Sequence, residues 1–209
     1  MAGMFARSTT IHGDPGAVDA GIAYVHDESM PMLRAMEGCV GLSMLAERET
    51  GRCIVTTSWA DHEALQNSAD GFVAMRRRAA EIMGGAADVA EWEIALMHRL
   101  HSAHHGASAR VIWHDGDPAD VDRMIDSFRM TVLPQLEELP GCCSVSVLLD
   151  RVSGRSVVTT TYDSPQDMVA ARDRAMEMRA EFMQKLSRTI TEVAEFELVV
   201  AHLQVPETV

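Results

Sequence analysis

Long apolar runs are missing from this 209-residue chain, so no segment reads as a membrane-spanning helix. The opening residues, MAGMFARSTT, lack the apolar core of a signal peptide, which points to the cytoplasm. Positive charge is scarce: 18 Lys and Arg face 31 Asp and Glu, for a formal net charge of -13. Such a chain is repelled by nucleic acid and by anionic membranes unless it gathers a basic patch. The nearest cluster, Arg76 to Arg78, falls on one predicted helix and reads as a solvated face. Neither nucleic acid nor membrane is expected as a partner. Cysteine is sparse too. Cys39, Cys53, Cys142 and Cys143 show no CxxC spacing and read as buried, reduced thiols, so no metal is assigned to them.

What the chain does have is an internal repeat. Gly13-Asp14-Pro15 returns as Gly116-Asp117-Pro118, 103 residues on. At the same offset Pro31 meets Pro134, Gly38-Cys39 meets Gly141-Cys142, and Arg48, Gly51-Arg52 and Met75-Arg76 find identical partners. One residue is inserted late in the second copy, after which Glu91-Trp92-Glu93 matches Glu195-Phe196-Glu197 and His98 matches His202. A fixed period over most of the chain marks a duplication. We divide the sequence into a first repeat at 1–100, a connector at 101–107 and a second repeat at 108–209.

Each repeat has the same order of signals. A short strand (FARSTTI, ARVIWH) leads into Asp-Pro, a helix cap followed by a first-turn proline. Val18, Ile22, Val25, Ser29, Leu33 and Met36 then fall at helical spacing, and Gly38 ends the helix. A hairpin follows, turning at RETG in the first copy. A second helix is predicted from Asp61 to Met83, with Leu65, Phe72, Met75, Ala79 and Met83 on its apolar side. A last strand closes the repeat. Strict alternation there puts His98 on one face with Trp92, Ile94 and Leu96, and His202 with Phe196, Leu198 and Val200. The order β-α-β-β-α-β, twice, is α+β and ferredoxin-like. Both helices cover one face of each sheet, and the bare faces of two copies can cover each other.

Two such units, a Trp or Tyr closing the third strand ahead of a helix (Trp59-Ala-Asp-His-Glu-Ala-Leu), and a final strand of the Glu-(Trp/Phe)-Glu type resemble the antibiotic biosynthesis monooxygenase superfamily. The resemblance implies a dimeric α+β barrel made within one chain, the two repeats packed sheet to sheet, as a monomer with an internal pseudo-dimer or as a homodimer. It implies a small aromatic or lipophilic ligand. For the oxygenase members it implies oxidation of quinol- or anthrone-like substrates by O₂ with no cofactor. A non-enzymatic ligand-binding or stress-response barrel is the competing reading, because fold does not fix function.

Cofactor-free oxygenation needs a base or hydrogen-bonding group beside an aromatic wall, plus a cation for the resulting anion. The catalytic candidates are the duplicated pairs Arg76 with Arg179, and His98 with His202. Arg7, Arg110, Trp59, Trp113, His114 and Tyr162 are candidates for lining the pocket. Trp113 and His114 stand where the first copy has Thr10 and Ile11, and such differences would mark an active copy. The connector histidines His101, His104 and His105 have no carboxylate beside them in sequence, so no metal is assigned there either. Haem-degrading members carry an Asn on the first strand and a Trp and a His on the second helix. The corresponding helix positions here are Ser68 and Arg76, then Ala171 and Arg179, and neither first strand has an Asn. Titration with haemin is therefore expected to give no bound-haem Soret band, and an absorption spectrum checks this directly.

Overall fold

The computed structural model describes residues 3–186 and 188–203. The first repeat folds as β1 (Phe5–His12), α1 (Val18–Tyr24), α2 (Met30–Arg34), β2 (Cys39–Glu47), β3 (Arg52–Trp59), α3 (His62–Asn67), α4 (Ala69–Met83) and β4 (Ala86–Arg99). The second follows as β5 (Ser108–Asp115), α5 (Val121–Ser127), α6 (Leu133–Glu137), β6 (Cys142–Leu149), β7 (Ser156–Tyr162), α7 (Pro165–Ala170), α8 (Arg172–Leu186) and β8 (Thr189–Leu203). The hydrogen-bonded strand order is β1-β3-β2-β8-β5-β7-β6-β4, a closed barrel. Two ferredoxin-like repeats in one α+β barrel are thus what the chain forms.

The Asp-Pro signals act as expected. Asp14 accepts a 2.8 Å hydrogen bond from Gly16 N, and Asp117 one of 2.9 Å from Ala119 N. The long helices are interrupted, however. The first helix passes through a wide π turn at Val25–Ser29 and again at Phe128–Val132. Pro31 and Pro134 follow these turns at once, each within the next helical segment. A proline cannot donate its N–H and crowds the carbonyl four residues back, so a widened turn relieves both. The second helix also breaks, at Ser68 and at Ala171, giving α3 with α4 and α7 with α8.

The chain forms two compact units. One holds residues 3–92 with 197–203, and the other holds 93–196. Each unit therefore takes the last stretch of a long strand that begins in the other repeat. In the first unit Ile11, Val18, Leu33, Leu42, Met44, Trp59, Leu65, Phe72 and Met83 bury one core between sheet and helices. In the second unit Val121, Met124, Phe128, Val145, Val147, Tyr162, Met178 and Phe182 do the same.

Both closing strands carry a bulge, which corrects the expected alternation. Ile94 pairs with Leu148 but Leu96 with Val147, so Ala95 is extra, and Val199 is extra in β8 between Leu198 and Val200. A bulge shifts the two-residue period by one. Leu96 and His98 consequently pair with Val147 and Val145 on the helix-covered face, while Ile94 pairs with Leu148 on the other. His202 likewise pairs with Leu42 on the helix-covered face of the first unit.

The hairpin turns are pressed against the loops that start the first helices. Gly154 has φ +74, and a Cβ there would run into the carbonyl oxygen of Gly116. Gly51 (φ +75) stands in the same relation to Gly13. Left-handed backbone and lack of space both require glycine. Gly154→Ala is expected to cost about 2 kcal/mol or more in denaturant unfolding. Gly106→Ala, also at positive φ but with open space around it, should cost roughly half as much.

A candidate anion pocket in the second unit

An arginine on the first strand of each repeat enters the core. Arg7 is 3% exposed, and its guanidinium is fully engaged. Nη2 meets Glu91 Oε1 at 2.8 Å and the Leu65 carbonyl at 2.9 Å, Nε reaches Glu91 at 3.1 Å, and Nη1 donates to Ser68 Oγ at 2.7 Å. Phe72 lies 5.0 Å from the guanidinium carbon and closes the space above it. Arg7 is thus a structural residue.

Arg110 repeats this arrangement up to a point. Nη2 meets Glu195 Oε1 at 2.8 Å and the Met168 carbonyl at 3.0 Å, and Nε reaches Glu195 at 3.1 Å. The partner of Nη1 is missing, because Ala171 stands where the first repeat has Ser68. Nη1 is buried with no hydrogen-bond partner among the described residues. Ala175 replaces Phe72, which removes the ring that covers Arg7. Burial works to raise the Glu195 carboxyl, yet hydrogen bonds and charge from Arg110 and Arg172 outweigh it and hold it below the usual value.

These replacements open a cavity of about 50 Å³ between β5, β7 and the helices of the second unit. Arg110, His114, Thr160, Tyr162 and Arg179 supply its polar lining, and Phe128, Val132, Met178, Phe182 and Met183 its apolar wall. Phe128 and Phe182 meet edge to face, 5.8 Å between ring centres. Burial and repulsion from Arg110 push the Arg179 guanidinium below its ordinary value, with Tyr162 opposing. Burial raises the Tyr162 hydroxyl to about 12 against the pull of Arg110. Burial first, then the charges of Arg188 and Arg179, lower His114 to about 4, so its ring is neutral at pH 7. Its Nδ1 is buried with no partner among the described residues. The end of this pocket is cationic in a chain of net charge -13, and it suits an anionic oxygen.

The matching space in the first unit is about 30 Å³ and lined mostly by apolar groups, with Arg76 at its edge and Ile11 in the place of His114. A wider cleft of about 710 Å³ beside α3 carries Glu37, Asp61 and Glu63, which repel anions. Four of the sequence candidates therefore converge in the second unit: Arg110, Arg179, His114 and Tyr162. The others do not join them. Trp113 alternates with Ile112 and His114 and so faces away from the cavity they line. Trp59 is fully buried and donates from Nε1 to Thr57 Oγ1 at 3.0 Å. His98 is held by Glu137 at 2.9 Å, outside the cavity. His202 lies beside Leu33, Arg34 and Cys39 in the first unit. Ala171, Ala175, Phe128 and Glu195 were not among the site candidates drawn from sequence. Aligning the repeats shows the first two as losses of a hydroxyl and a ring, the signal that would have found them.

Strand order and repeated helix pairs place the protein in the class of ferredoxin-like α+β barrels. Residues 4–71, in the first repeat, match the antibiotic biosynthesis monooxygenase family. Two full-length relatives come from Mycobacterium tuberculosis. Uncharacterized protein Rv2558 is 45% identical, covering 99% of this chain and 88% of its own length. Uncharacterized protein Rv2557 is 43% identical, over 99% and 92%. Among solved structures, an anthrone oxidase-like protein superimposes with a TM-score of 0.68 at 14% identity, covering 99% of this chain and 95% of its own. A monooxygenase-like protein from Listeria innocua gives 0.58 at 9% identity over 94% of each chain. At these identities the structures share the fold.

A buried neutral histidine has a stability signature. The His114 folded value, about 4, lies below the unfolded value of about 6.5. Its contribution is complete above pH 6.5 and is lost as pH falls toward 4, up to about 3 kcal/mol. His114→Ile, which installs the first repeat's residue, is expected to flatten that part of the melting temperature's pH profile relative to the parent.

Proposed function

We propose that the second unit's pocket binds a small aromatic or lipophilic molecule through an ionised oxygen, and that it oxidises quinol- or anthrone-like substrates with O₂. The observation carrying this reading is the buried, unpartnered Nη1 of Arg110 beside Arg179 at the end of an apolar cavity. An unpaired charged donor in such a place is costly unless an acceptor arrives. A phenolate or enolate oxygen supplies one, and the paired guanidiniums would lower the energy of the anion that O₂ attacks. In the anthrone case the ring CH₂ becomes a carbonyl: one oxygen atom enters the product, and the other leaves as water with the two hydrogens. The cavity holds little more than a water or two as it stands, so Met178 and Met183 must shift to admit a ring. Thioether side chains do this at low cost.

One observation favours the binding-only reading. His114 at about 4 and Tyr162 at about 12 leave neither poised to take a proton near pH 7. A substrate must then arrive ionised or be acidic enough to ionise against the two arginines. An oxygen electrode with a panel of quinols and anthrones separates the readings. Turnover is expected, with kcat/KM about 100-fold lower in Arg179→Leu and lost in Ala175→Phe, which restores the first repeat's ring. Saturable binding of these compounds without oxygen uptake would establish a binding protein instead.

A further inference from the structure

Three side chains outside this pocket, far apart in sequence, converge at the connector. The donor atoms of His101, Cys143 and Asp163 all lie within 4.8 Å of one another. His101 Nε2 is 2.8 Å from Asp163 Oδ1. Backbone bonds hold the parts in place. Leu100 N and His101 N donate to the Cys143 carbonyl at 2.9 and 3.4 Å, and Asp163 N donates to the Gly141 carbonyl at 2.7 Å. Cys143 is fully buried beneath an exposed His101 and a half-buried Asp163. The ring of His104 stacks on that of His101, 6.2 Å between centres.

The repeat sharpens this cluster. Cys143 stands where the first copy has Val40, and Asp163 where it has Ala60. Two departures from the duplicated pattern thus meet at one spot, against a histidine from the connector. A hydrogen bond between His101 and Asp163 accounts for those two but gives no reason for a thiol below them. A carboxylate, lacking beside the connector histidines in sequence, is supplied through space.

We infer that His101 Nε2, Cys143 Sγ and Asp163 form a site for a zinc-class divalent cation. Nitrogen, sulfur and carboxylate together suit Zn²⁺ or Co²⁺ and not Mg²⁺ or Ca²⁺. Tetrahedral bonds of about 2.0–2.3 Å place ligand atoms roughly 3.3–3.8 Å apart, so separations of up to 4.8 Å need to close by about 1 Å while the 2.8 Å His101–Asp163 pair opens by about 0.5 Å, which exposed His101 can do by rotation. Three protein ligands leave one position for water. Burial raises the Cys143 thiol to about 11, and Asp163 adds to this, so the metal-free site carries the thiol proton. Binding forms the metal–sulfur bond with the electron pair of the departing S–H, releases one proton to solvent and changes no oxidation state. The bound cation would fix the connector to the start of β6 and the loop after β7.

The test uses the full chain, reduced, stripped with a chelator and titrated with Co²⁺ and then Zn²⁺. One Co²⁺ per chain is expected, with a thiolate-to-cobalt charge-transfer band that one equivalent of Zn²⁺ bleaches. Cys143→Val and Asp163→Ala install the first repeat's own residues, so circular dichroism and melting should report folded proteins. Cys143→Val is expected to lose the band, with affinity at least about 100-fold weaker. Asp163→Ala should keep the band with affinity about 10–100-fold weaker. Absence of the band in the parent overturns the site. So does its persistence in Cys143→Val, or undiminished affinity in Asp163→Ala.

Discussion

Each repeat is organised around one ion pair between a buried arginine and a partly exposed glutamate. An arginine side chain on the first strand reaches a glutamate on the fourth and the carbonyl at the end of the short third helical segment, Leu65 or Met168. Removing charge from water costs several kcal/mol per ion, a cost that falls here on the buried arginine more than on the glutamate, which is 41% or 34% exposed. The geometry of three elements is therefore fixed at one point: first strand, last strand and the break between the two segments of the second helix. Ser68 and Ala171 sit at that break, and whatever occupies it decides whether the arginine is satisfied.

The two repeats share this constraint and differ in how completely they meet it. In the first, a hydroxyl and an aromatic ring finish the job, and Arg7 belongs wholly to the fold. In the second, two alanines leave a guanidinium nitrogen exposed to a cavity, while Val25 and Ala79 give way to Phe128 and Phe182 and build an aromatic wall. The neighbouring Arg179 and neutral His114 make that cavity a place where negative charge is favoured in an otherwise acidic molecule. Duplication allows this division, since one copy can hold the architecture while the other gives up packing for a cavity.

Much of the fold was legible in the sequence because backbone signals are local. Asp-Pro starts a helix wherever it stands, and the glycine of each hairpin marks a turn. The same locality explains what was misread. The faces of the last strands depend on bulges at Ala95 and Val199, which arise from pairing with β6 and β2 and leave no mark in a two-residue alternation. The π turns were signalled by Pro31 and Pro134, but an apolar stripe continues through them. The site was legible only in part. Arg110, Arg179, His114 and Tyr162 could be named from type and position. That Arg7 is saturated and Arg110 is not depends on Ser68 and Ala171, 61 residues downstream of their arginines.

The long closing strands carry a last consequence. Residues 93–99 belong to the second compact unit, and residues 197–203 to the first. A repeat excised at the connector would keep its own helices and four strands but lose the other repeat's closing strand, which pairs with Gly41–Ala46 or with Ser144–Leu149. It would present a bare edge in place of a finished sheet. Sequence repeat and folding unit are therefore different objects in this protein. Each compact unit draws residues from both copies of the duplication.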